Sequence, residues 1–112
     1  MAKPRNLWPT SMQVWVITGE MASGKTTLGS AVLEIAREHG LTAEMVDGID
    51  DAHQAERLLK VRTCSPDLLI MVGDEWPVAN LPSNAKHLFN LSRGDAGRVH
   101  ELARELFKGN RP

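Results

Sequence analysis

The chain has 112 residues, 42% of them hydrophobic and 24% charged, with a formal net charge of −1. That length fits one domain able to bury a core without disulfide or metal staples, and the near-zero charge excludes a nucleic-acid protein relying on a broad basic surface. The single cysteine, Cys64, excludes an intramolecular disulfide and a Cys-rich zinc site.

One lone thiol fits a reducing, cytoplasmic compartment. No apolar run approaches the ~18 residues that a membrane span needs. Residues 1–11 hold Lys3 and Arg5 with no apolar signal-peptide core after them. Pro4 and Pro9 make this stretch an extended arm, whose Leu7 and Trp8 are available to dock on the domain or a partner. Met12 is an alternative start, and residues 12–112 form the single domain.

Gln13 to Thr18 is apolar on both faces and β-branched, as expected of a strand covered on both sides. Gly24 to His39 follows as a helix, with Leu28, Val32, Ile35 and Ala36 on one stripe, Ala31 beside them and Gly40 as C-terminal cap. Thr42 to Asp47 is a second strand, which Glu44 marks as near an edge. Asp51 and Gln54 open a helix to about Arg62, and Pro66 lies just beyond it. Asp67 to Gly73 is a third strand, apolar on both faces. Asp74 to Ala85, with Pro77 and Pro82, is a loop. Lys86 to Leu91 is a weaker fourth strand. Asp95 caps a last helix to about Lys108, striped by Val99, Leu102, Ala103, Leu106 and Phe107.

This alternation predicts a three-layer α/β/α sandwich around a four-stranded parallel sheet. Ligands of such sheets bind at the carboxyl ends of the strands. The first strand ends in Gly19-Glu20-Met21-Ala22-Ser23-Gly24-Lys25-Thr26-Thr27. That run satisfies G-x-x-x-x-G-K-[ST] between a buried strand and an amphipathic helix. Its chemistry suits a polyphosphate. Successive backbone amides and the helix N-terminus meet the anion, the glycines permit close approach, Lys25 supplies a movable cation, and the Thr26 hydroxyl can ligate Mg²⁺.

Residues 13 to 27 resemble the Walker A region of the P-loop NTPase superfamily. The resemblance implies that ATP or another nucleoside triphosphate is bound with Mg²⁺. It also gives a role to Gly73-Asp74-Glu75 at the end of the third strand. Asp74, like a Walker B acid, would hold Mg²⁺, and Glu75 would orient or deprotonate water. Asp47, Asp50 and Asp51 follow the second strand. This segment resembles the Asp-Gly-Asp segment of adenylylsulfate kinases and related small-molecule kinases, where an acid contacts or activates the acceptor. Ile49 is inserted before the second acid, and Asp51 also has a capping role.

Three functions are compatible with these residues: an ATPase or ATP-driven switch using Lys25, Thr26, Asp74 and Glu75; a small-molecule kinase with Asp47 at the acceptor; and a non-catalytic ATP-binding regulatory module. Kinases of this kind close an arginine-rich lid to exclude water, whereas Asp74 to Ala85 contains no arginine. Strand order bears on the first two. In a kinase-like order 2-3-1-4 the apolar first strand is interior, while in 2-3-4-1 it would be an exposed edge; the sequence favours 2-3-1-4. Arg93 or Arg98, beyond the fourth strand, are candidates to stabilise a transferring phosphoryl group. His39, His53, His87 and His100 lack ligand spacing and are expected at the surface, and Trp76 is expected to pack on its own domain. With no room for a separate substrate domain, base and acceptor contacts are expected from loops of the chain or from a neighbour, a homo-oligomer or another protein.

Overall fold

Val14, Trp15, Val16 and Ile17 are consecutive apolar residues, and a strand carrying them must be covered on both faces and paired along both edges. The computed structural model, which describes residues 12–20, 23–49, 66–73 and 85–110, meets both conditions. Its elements are β1 (Gln13–Gly19), α1 (Lys25–Glu38), β2 (Ala43–Ile49), β3 (Leu68–Gly73), β4 (Ala85–Leu91), a 3-10 helix (Arg93–Arg98) and α2 (Val99–Asn110).

The four strands form one sheet in the order β2-β3-β1-β4. All pairings are parallel: β1 runs beside β3 from Gln13↔Leu68 to Thr18↔Gly73 and beside β4 from Val14↔Ala85 to Gly19↔Leu91. β2 pairs β3 from Ala43↔Leu68 to Ile49↔Gly73. The two strands that are apolar on both faces are therefore interior. The edge positions fall to β2, with exposed Glu44, and to β4, with exposed Lys86 and Asn90. Order 2-3-4-1 is excluded.

Period-2 alternation divides the sheet's side chains between two cores. On one face, Trp15, Ile17, Leu68, Ile70 and Val72 are buried with Leu28, Val32 and Ala36 of α1 and with Leu102, Ala103 and Phe107 of α2. Trp15 and Phe107 meet edge to face, with centroids 5.7 Å apart. Each such large apolar side chain contributes roughly 1.5–3 kcal/mol by leaving water. On the other face Val14, Val16, Leu69 and Met71 are buried together, flanked by Met12, Val46 and Ala85. Both described helices thus belong to the first face. The helix expected over Asp51 to Arg62, the arm 1–11 and the stretch 74–84 lie outside the described residues.

Two local expectations are corrected. Ala85 belongs to β4 rather than to the preceding loop. Asp95 does not begin the last helix: Ser92 is the N-cap of the 3-10 helix and Asp95 is its reciprocal partner in a capping box, with α2 starting only at Val99. The run Arg93-Gly94-Asp95-Ala96-Gly97-Arg98 contains two glycines, which weaken α-helical propensity and leave the tighter 3-10 winding to side-chain capping.

Candidate functional site

β1 delivers the chain at Gly19, and α1 starts at Lys25. Gly24 is the N-cap, in the left-handed region with φ 89° and ψ 15°, where a Cβ is strained. A Cβ on Gly19 would lie 2.6 Å from Ser23 Oγ and 3.0 Å from the Leu91 carbonyl oxygen. One motif glycine is needed for its dihedral angles and the other for space. Within the turn, Ser23 N–H donates to Glu20 O at 3.2 Å, and Glu20 N–H donates to Leu91 O at 3.2 Å. Leu28 N–H to Gly24 O, at 2.8 Å, is the first bond of the helix. The amides of Lys25, Thr26 and Thr27 therefore have no acceptor inside α1, and no acidic side chain occupies its first turn.

Ser23 is fully buried, and among the described residues its Oγ finds no hydrogen-bond partner. Such an orphan costs about 1–3 kcal/mol and calls for a partner that completes it. Lys25 Nζ donates to Glu20 O at 3.4 Å. Thr26 Oγ1 donates to Asp47 Oδ2 at 2.8 Å, while Asp47 Oδ1 accepts from Gly48 N–H at 2.7 Å. Gly48 has φ 81°, which turns the chain there. The fold thus joins two residues 21 positions apart, a hydroxyl at the helix N-terminus and a carboxylate near the end of β2. Among the described residues no group of three or more His, Cys, Asp or Glu side chains gathers as a metal cluster. Met21, Ala22, Asp50, Asp51, Asp74, Glu75 and Trp76 lie outside the described residues; β3 ends at Gly73, beside Thr18, just before Asp74.

Comparison with known proteins gives no match. No family model, curated protein or solved structure matches this chain.

The two candidate arginines separate. Arg98 is held by Asp95, at 3.1 Å from both Nε and Nη2 to Oδ1. The Ser92 amide and Arg98 together hold the Asp95 carboxyl below its ordinary range. Arg93 instead reaches the loop, with Nε 3.5 Å from Glu20 Oε1.

A polar cluster below the loop escapes the sequence pattern. Thr18, 2% exposed, donates from Oγ1 to Asn90 Oδ1 at 2.8 Å and lies 2.8 Å from His87 Nε2. A hydroxyl carries one proton, so with that proton on Asn90 it accepts from His87 Nε2–H. In a regular strand, His87 and Asn90 would face opposite sides. A register shift in the β1–β4 pairing, between Val16↔His87 and Ile17↔Phe89, brings both to Thr18. Burial pushes the His87 pKa down, partly opposed by a backbone contact at Phe89. His39 also departs from the surface expectation: half-buried, it sits 4.8 Å from the Phe107 ring and 2.9 Å from the Ile35 carbonyl. His100 is exposed as expected, and His53 lies outside the described residues.

Proposed function

We propose that the chain binds a nucleoside triphosphate, as MgATP, at Gly19–Thr27, within a P-loop NTPase-like three-layer fold. The observation that carries this reading is the convergence at one helix N-terminus of Lys25 and the Thr26–Asp47 pair. The left-handed cap at Gly24 and the close approach at Gly19 give the turn the shape that such a ligand needs. Backbone amides of the first turn would face phosphate oxygens. Lys25 would leave the Glu20 carbonyl for a better acceptor, since charge-assisted bonds to phosphate are stronger than bonds to a neutral carbonyl.

Thr26 and Asp47 supply hard oxygen atoms of the type that holds Mg²⁺, which commonly takes one or two carboxylates and completes its shell with phosphate and water. Asp47 is thereby assigned to the metal alongside Thr26. Asp74 is proposed as a further metal acid and Glu75 as the base for water. When bound, the triphosphate supplies a γ-phosphoryl group for transfer to water or to an acceptor hydroxyl, with the diphosphate leaving.

Hydrolysis is the first reading of the reaction. Phosphoryl transfer to a small acceptor is the second, favoured by two observations: the order β2-β3-β1-β4 matches the kinase-like arrangement, and an acid of the β2 end stands at the loop. Incubation with MgATP, reading bound nucleotide, free phosphate and phosphorylated small molecules together, tests all of this. Phosphate release supports hydrolysis, a labelled acceptor product supports transfer, and binding without turnover assigns a regulatory module. Absence of bound nucleotide overturns the proposal.

A further inference from the structure

An acid in a loop that takes a polyphosphate works against its ligand, and Glu20 stands immediately after the first motif glycine. The end of β4 and the segment that follows it meet this loop in three ways. Leu91 O accepts the Glu20 amide, Arg93 Nε stands 3.5 Å from the Glu20 carboxylate, and a Cβ on Gly24 would lie 3.0 Å from Val99 Cγ1 and 3.4 Å from Ala96 Cα. The segment is itself fixed, because Asp95 Oδ2 accepts from Ser92 N–H at 3.0 Å and Asp95 Oδ1 from Arg98 Nε at 3.1 Å. Arg98 is thus committed within the turn, and Arg93 is the arginine directed at the loop.

We propose that Arg93 is a positioning residue that sets the loop's affinity for anions by acting through Glu20. This rests on the nucleotide reading above. The pair is exposed, at 71% for Arg93 and 45% for Glu20. Exposed ion pairs add little to folding, so the ion pair's consequence lies in the field at the loop. With Arg93 present, the Glu20 charge is largely cancelled, and its side chain is drawn toward the β4–α2 connection. Without Arg93, an uncompensated carboxylate shares the loop with the bound phosphates, and like charges at loop distances repel even in water.

Calorimetric titration with MgATP of the full chain and of Arg93→Gln, Glu20→Gln and the double variant tests this. Circular dichroism would confirm that each variant is folded. Arg93→Gln is expected to weaken binding about 3- to 10-fold, and Arg93→Lys by less, since it restores the charge without the fork. In the Glu20→Gln background the same Arg93→Gln change is expected to cost under about 2-fold, because the charge it compensates is gone. An equal loss in both backgrounds would overturn the proposal and make Arg93 a direct phosphate ligand or a structural residue. Wild-type protein that binds no MgATP would overturn the nucleotide reading and, with it, this one. Wild-type binding with an additive cycle would overturn this one alone.

Discussion

Gly24 and Gly48 share a backbone conformation, with φ 89° and 81°, but not an environment. A Cβ on Gly24 would press on Val99 Cγ1 at 3.0 Å, whereas one on Gly48 would meet nothing within 4 Å. Alanine at either site incurs about 1–2 kcal/mol for the left-handed conformation, offset by about 0.4–1 kcal/mol from the restricted unfolded chain. Gly24→Ala adds about 1 kcal/mol of overpacking against the α2 N-terminus. The expected net losses are about 2 kcal/mol for Gly24→Ala and about 1 kcal/mol for Gly48→Ala. For a domain near this size the larger loss lowers Tm by about 8 °C or more. Urea unfolding at equilibrium gives both values from the midpoints if the slope is unchanged. Val99→Ala removes buried methyls and costs stability on its own, but it should cost about 1 kcal/mol less in the Gly24→Ala background than in the Gly48→Ala background. Equal losses at the two glycines would refute the Val99 contact, and a gain in stability at Gly24 would refute the left-handed cap.

Gly29→Ala should destabilise by about 1–2 kcal/mol despite alanine's better helix propensity, since its Cβ would lie 2.7 Å from Val72 Cγ2 and 2.9 Å from Met45 Sδ; a stabilised variant in urea would contradict the close helix–sheet approach. Thr26→Ala and Asp47→Asn should each raise the Mg²⁺ concentration needed for half-maximal ATP binding by about 10-fold or more, and an unchanged requirement would detach the pair from the metal. His87 has a folded pKa below its unfolded value because burial disfavours the imidazolium. The unfolded chain then binds more protons between the two values, so stability falls as pH drops from about 6.5 through the folded pKa and levels off below it. His87→Gln should lose less stability over that window, by urea midpoints at about pH 7.5 and about pH 5; an equal loss would remove His87 as a source.

Much of the fold was legible because burial leaves simple periodic signatures. The two doubly apolar runs, Val14–Ile17 and Leu68–Val72, are best satisfied as interior strands, and that preference favoured order 2-3-1-4, the order observed, over 2-3-4-1. Glu44 marked β2 as an edge for the same reason. The turn between β1 and α1 was legible in its glycines, since Gly24 takes a left-handed φ and Gly19 has no space for a Cβ. The Thr26–Asp47 bond was not, since spacing along the chain carries no record of which strand end faces a helix N-terminus. The Thr18–His87–Asn90 cluster depends on an irregularity in β4 that breaks period-2 alternation, and no residue in that stretch announces it. The 3-10 start after β4 was missed because Asp95 fits an α-helical cap and a capping-box partner equally well in sequence, and only the Ser92 amide decides between them.

The most direct test is a calorimetric titration of the wild-type chain and Lys25→Ala with ATP, with and without Mg²⁺. Saturable binding that needs Mg²⁺ and weakens roughly 10- to 100-fold on loss of the lysine is the expected result. No heat with the wild-type protein, or equal binding by a folded Lys25→Ala variant, would contradict the assignment of Gly19–Thr27 as a triphosphate site.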